Sequence, residues 1–64
     1  MDTDYFVIIN EDAHNKSAYI LSHEEMEQTT LGTWERIWSG PHANLARAED
    51  QLAKAKEHLA GVKE

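Results

Sequence analysis

The sequence predicts a small α+β domain: an antiparallel β-sheet of two to three strands packed against one long C-terminal amphipathic helix, with a short helix at about 23–28. Three observations carry that reading. Residues 44 to 64 write one seven-residue unit three times, with Leu45, Leu52 and Leu59 recurring and Ala48, Ala55 and Val62 three positions after each. Tyr5-Phe6-Val7-Ile8-Ile9 and Ser17-Ala18-Tyr19-Ile20-Leu21 are short apolar runs separated by a polar stretch, the pattern of two paired strands. Ser22-His23-Glu24-Glu25 has the Ser-x-x-Glu form of a helix capping box.

Taken in order, the first run lacks alternation, which points to a strand buried on both faces, with Tyr5, Val7 and Ile9 on one side and Phe6 and Ile8 on the other. Asp12 and Asn15 suit the turn between the runs, so residues 4–22 read as a β-hairpin. The capping box opens a helix over 23–28 that stops before Thr29-Thr30 and Gly32. Residues 33–39 fit two patterns. Trp34, Ile37 and Trp38 have helical spacing, whereas a strand puts Trp34, Arg36 and Trp38 on one face. Enrichment in Trp, Thr and Ile, with Gly32 before and Gly40-Pro41 after, favours the strand. The long helix is then expected over 41–60, capped by Ser39 or Gly40, with Pro41 in its first turn.

A chain of 64 residues makes one domain near the lower limit for folding on a single core, which at this size supplies about 3–5 kcal/mol. With no cysteine, disulfides and thiolate metal sites are ruled out. The chain has no apolar run of about 18 residues and no basic-then-apolar leader, so the expectation is a cytoplasmic protein of a bacterial or infected host cell, with no membrane association.

Charge is unevenly distributed. Residues 1–35 carry eight acids against Lys16, a charge of −7, while residues 36–64 carry five bases against four acids. Such a front half repels phosphate backbones, which argues against direct nucleic-acid binding, and it attracts a basic surface on a protein partner.

Two geometric mismatches point to an interface. A helix over 41–60 spans about 30 Å, against about 17–20 Å for strands of five or six residues, so Leu45 or Leu59 is expected to overhang the sheet. One helix also covers only one sheet face, while Phe6, Ile8 and one or both Trp face the other way. A homodimer built on Leu45, Ala48, Leu52, Ala55, Leu59 and Val62 relieves both, and Glu49 opposite Lys56 favours an antiparallel arrangement.

Catalytic chemistry is not evident. His23-Glu24-Glu25-Met26-Glu27 begins like a zincin helix but has Glu where the second His ligand belongs, so no metal or cofactor is expected. Ser17, Ser22 and Ser39 lack a nucleophile-elbow context, and the acids of a capping turn lack the apolar pocket that general-acid work requires. The expectation is a non-enzymatic binding protein that occupies a partner's surface, an inhibitor or regulator. Its type is that of small phage-encoded anti-defence or host-takeover proteins, or of small bacterial regulators. In that reading Asp12, Glu24, Glu25 and Glu27 draw in a basic surface, and Trp34, Arg36 and Trp38 anchor the contact. Two alternatives are a homo-oligomeric binder of a small molecule or nucleotide, using Trp34, Arg36, Trp38 and a His, and a structural subunit that only self-associates.

Overall fold

A computed structural model describes residues 4–61 and shows a small α+β fold. Its elements are β1 (Tyr5–Asn10), β2 (Ser17–Ser22), α1 (His23–Gln28), β3 (Glu35–His42) and α2 (Leu45–Gly61). The three strands form one antiparallel sheet in the order β2-β1-β3, so the apolar run of β1 becomes the central strand.

Local side-chain chemistry explains the first half of the chain. Asn10 Oδ1 accepts from the Asp12 N–H, Asp12 Oδ1 accepts from the His14 N–H, and Asp12 O accepts from the Asn15 N–H, at 2.9, 3.0 and 2.9 Å. These bonds close the β1–β2 turn. At the other end of β2 the capping box is complete: Glu25 N–H donates to Ser22 Oγ at 3.3 Å, and Ser22 N–H donates to Glu25 Oε1 at 2.9 Å. α1 therefore starts directly where β2 stops.

The second half departs from the sequence reading. The strand covers Glu35–His42 instead of 33–39, and the helix begins at Leu45 instead of 41. Gly40-Pro41 does not end the strand. Register shifts between Tyr5 and Val7 and between Val7 and Ile8 insert extra β3 residues, so the bulged strand still pairs His42 with Tyr5. Gly40 sits at φ +131°, with its peptide bond to Pro41 in cis. Pro41 is tolerated because β3 is an edge strand, where a missing N–H need not break the ladder. The helix cap is accordingly Asn44, whose Oδ1 accepts from the Ala46 N–H at 2.7 Å, and not Ser39 or Gly40.

The two faces of β1 are both used. On one side Val7 and Ile9 pack with Ala48, Ala55 and Leu59 of α2, flanked by Tyr5, Ala18, Ile20, Trp38 and Leu52. Ala48 and Ala55 are fully buried, and their small side chains let α2 lie close on the sheet. Ile8 points to the opposite face and is also fully buried. There Tyr19 O–H on β2 donates to Glu35 Oε2 on β3 at 2.8 Å, a bond that crosses the central strand from edge to edge. Burying each of Val7, Ile8 and Ile9 contributes about 1.5–3 kcal/mol before the opposing chain entropy is subtracted.

Among the described residues the expected overhang lies at the Leu45 end of α2. Leu59 is 7% exposed and belongs to the core, whereas Leu45 is 44% exposed.

Candidate protein-interaction site

The sequence-predicted site residues fall into four groups. Glu24, Glu25 and Glu27 are all exposed on α1, a six-residue helix that packs on β2 and β1 and does not touch α2. Glu25 is fixed by the capping box, Glu27 lies 3.1 Å from His23 Nε2, and Glu24 points its charge outward. Asp12 does not join them. It follows the Asn10–Ser17 end of the hairpin, while α1 starts at the Tyr5–Ser22 end, and its carboxylate is occupied in the turn.

Trp34, Arg36 and Trp38 divide three ways. Arg36 pairs with Ile9 in the register and so lies on the α2 side of the sheet. Its Nε and one terminal nitrogen reach the two carboxylate oxygens of Glu11 at 3.3 and 3.4 Å. Trp38 is partly buried against the core, and its ring lies 4.9 Å from the His58 ring at 37°. Trp34 stands just before β3 and is 59% exposed, while its carbonyl accepts from the Glu11 N–H at 2.9 Å. An open platform with a guanidinium between two rings is therefore not formed: one indole is used in packing, and the Nε edge of the guanidinium is held by a carboxylate.

Glu11 is the residue that sequence reasoning missed. It binds Arg36 on one side, and its Oε2 lies 3.7 Å from His58 Nε2 on the other. The Arg36 hydrogen bond, aided by the charges of Arg36 and His58, holds the Glu11 carboxyl below its ordinary range despite partial desolvation. The signal that identifies it is long-range, the pairing of residue 11 with residue 34 across β1 and β3. No local spacing carries that signal.

On the face away from α2, the Tyr19 phenol is pushed up to about 12 by desolvation and by the adjacent Glu35 carboxylate. The Glu35 carboxyl is held below its ordinary range, first by the Gly32 N–H at 2.7 Å and then by Tyr19. Ile37 shares this face and is 43% exposed.

The heptad positions are used within the chain. Ala48, Ala55 and Leu59 are buried against their own sheet, and Leu52 packs on the same cluster. That leaves Leu45 as the open member of the seam among the described residues, with Val62 outside them.

Among the described residues, no group of three His, Asp or Glu side chains is placed to hold a metal ion. Ser39 Oγ and His42 Nε2 lie 2.7 Å apart. No carboxylate orients that imidazole among the described residues, so the third member of a nucleophilic triad is missing. No described helix is long and apolar enough to cross a membrane. No family model, curated protein or solved structure matches the chain.

Proposed function

We propose that this protein is a small, acidic, non-enzymatic binding protein that acts by occupying a basic surface of a macromolecular partner, as an inhibitor or regulator. One observation carries the reading. α1 is pinned to the end of β2 by a complete capping box and presents Glu24, Glu25 and Glu27 outward, with His23 Nε2 3.1 Å from Glu27. Within residues 4–35, seven acids (Asp4, Glu11, Asp12, Glu24, Glu25, Glu27 and Glu35) stand against Lys16 alone. Two bases of the second half are held locally: Arg36 binds Glu11, and Lys54 lies 3.8 Å from Asp50. Trp34 and Ile37 are both well exposed and offer apolar contact on the β3 side of the sheet, apart from α1, which packs on β2 and β1.

The test neutralises the charge without removing the cap. A Glu24→Gln/Glu25→Gln/Glu27→Gln variant keeps the capping box, because Gln serves in place of Glu at the third helical position. Proteins captured from a cell lysate by the wild-type chain are expected to be lost with this variant, and to be lost from the wild type as salt is raised through the Debye regime. Capture of the same proteins by both chains at all salt concentrations would overturn the reading.

A further inference from the structure

The α2 side of the sheet is not filled evenly. An open groove of about 610 Å³ lies between β2 and the last turns of α2, and its apolar lining is Ala18, Leu59 and Ala60. Ala18 stands opposite Ile9 in the register and Ile20 opposite Val7, so both lie on the α2 side of β2. Both are only partly buried there. The groove is open above small side chains, since Ala18 and Ala60 each offer a single methyl group.

β2 is also a sheet edge, and the hydrogen-bond phase shows which backbone groups it offers. His23 N–H donates to Asp4 O at 2.7 Å, so residues 4 and 23 form a hydrogen-bonded pair. Antiparallel pairs alternate, which makes Phe6–Leu21 and Ile8–Tyr19 hydrogen-bonded pairs as well. The N–H and C=O groups of Ala18, Ile20 and Ser22 therefore point out of the sheet, and Ser22 N–H is taken by Glu25. From Ser17 to Ser22 the strand keeps an unbroken register and carries no charge, proline or glycine. It lacks the devices that blunt an edge, which β3 has in its bulges and Gly40-Pro41.

We propose that a second copy of this chain covers the edge, with β2 pairing antiparallel to the partner's β2 about a two-fold axis at Tyr19. That register sets Ala18 opposite the partner's Ile20 and Ile20 opposite the partner's Ala18. Each pair exchanges both of its N–H···O bonds, so every backbone group that Ala18 and Ile20 direct outward is used. The edge is thus complementary to itself, as an isologous contact requires. Shape selects the same occupant. The partner's Ile20 stands on the α2 face directly beside Ala18, at the groove that Ala18 and Ala60 leave open, and the axis repeats this large-against-small fit on the other side. Charge permits the pairing although the chain carries −6. The paired strands are uncharged, and each α1 starts where its own β2 stops, so the two acidic turns lie at opposite ends of the shared ribbon. In this register His23 and the partner's His23 are eight residues apart along the ribbon, or about 27 Å, several times a Debye length of about 8 Å. The contact is not a helix seam, because Ala48, Ala55 and Leu59 stay in their own core. It also does not depend on what the α1 carboxylates bind. A sheet shared by two copies gives a 64-residue, cysteine-free domain the reinforcement that its small core calls for.

The experiment uses the full chain and follows its mass by sedimentation equilibrium up to about 1 mM, with NMR alongside. A concentration-dependent dimer is expected, and the Ala18 and Ile20 amides are expected to gain protection from exchange as it forms. In a mixture of isotope-labelled and unlabelled chains, an intermolecular contact between the two Tyr19 Hα protons is expected, since they face each other across the axis. Ala18→Pro removes an outward N–H and leaves the ladder to β1 intact, so it is expected to fold and to weaken the dimer about tenfold or more. The Tyr19 contact is read on the unaltered chain and decides the case even if that variant does not fold. Leu45→Glu, on the exposed end of the heptad stripe, is expected to leave the dimer unchanged. The Glu24→Gln/Glu25→Gln/Glu27→Gln variant is expected to dimerise like the wild type, which separates this contact from the α1 reading. A chain still monomeric at about 1 mM would overturn the proposal, as would a dimer without the Tyr19 contact or one that Leu45→Glu splits. A folded Ala18→Pro chain that dimerises as tightly as the wild type would overturn it too.

Discussion

Leu59 decides between two roles for α2, and its truncation separates them quantitatively. If the heptad seam served only to join two copies, Leu59→Ala would split an oligomer and leave each chain folded. The structure instead puts Leu59 at 7% exposure in a cluster with Val7, Ile9, Ala48 and Ala55. A buried Leu→Ala change costs about 2–5 kcal/mol, the spread depending on how well the site collapses. Leu59 sits two residues before Gly61, the last residue of α2, so the helix end can relax and the lower part of that range applies, about 2–3 kcal/mol. Against a total of about 3–5 kcal/mol for a core of this size, that is about two-fifths of the stability or more. With a urea dependence of about 1 kcal/mol per molar, the unfolding midpoint is expected to fall by about 2–3 M. Leu45→Ala is the control. Leu45 is 44% exposed at the other end of the same helix, and its truncation is expected to cost about 0.5 kcal/mol or less. Urea titration by circular dichroism, with light scattering alongside, reads both quantities. Equal midpoints for the two variants, with Leu59→Ala still folded, would refute the docking of α2 through Leu59.

Further perturbations test the remaining structure. Gly40→Ala is expected to destabilise the chain by at least 1–2 kcal/mol in the same titration. The added Cβ would meet Tyr5 O at 2.9 Å and Phe6 Cα at 3.1 Å, at a φ of +131° that L-residues rarely adopt. Asn44→Ala removes the acceptor for Ala46 N–H and is expected to cost about 1 kcal/mol of helix stability, whereas Ser39→Ala is expected to leave the helix cap intact. Tyr19 is expected to titrate near 12 by its phenolate absorbance. Because its folded pKa is raised, the stability linked to it is present below its unfolded value and is lost as pH climbs from there toward 12. Glu11 and Glu35 act in the opposite sense. Their folded pKa values are depressed, so their contribution is present above the unfolded carboxylate range and disappears as pH falls through it to the folded values. Acid titration of a Glu35→Gln variant, monitored by unfolding midpoint, is expected to show a shallower loss than the wild type.

The elements that can be read from the sequence are those fixed by local chemistry. The Ser22 to Glu25 capping box closes with side-chain and backbone groups at most three residues apart, and the β1–β2 turn closes through Asp12 and its neighbours. The β1 run is apolar at every position, which by itself implies a central strand with two covered faces. What a local reading cannot supply is register. Gly40-Pro41 has the composition of a strand terminator, yet the tertiary pairing of His42 with Tyr5 carries β3 through it and moves the start of α2 to Leu45. The heptad pattern has a similar ambiguity, because an apolar stripe at helical spacing has the same sequence whether it meets a second helix or a sheet. Here Ala48 and Ala55 meet Val7 and Ile9 of their own chain.

The same distinction governs the candidate site. Parity along β3 does place Arg36 and Trp38 toward α2, as a strand reading requires, but parity says nothing of what arrives from elsewhere. Glu11, brought in by the pairing of β1 with β3, takes the Nε and one terminal nitrogen of the Arg36 guanidinium. His58, brought in by the last turns of α2, takes the face of Trp38. Arg36 and Trp38 are thereby turned into a joint between sheet and helix, while Trp34 stays exposed. Among the described residues the α1 carboxylates meet no base of α2, because α1 does not touch that helix, where Arg47, Lys54 and Lys56 reside. The recognition proposed above would therefore draw on those α1 carboxylates.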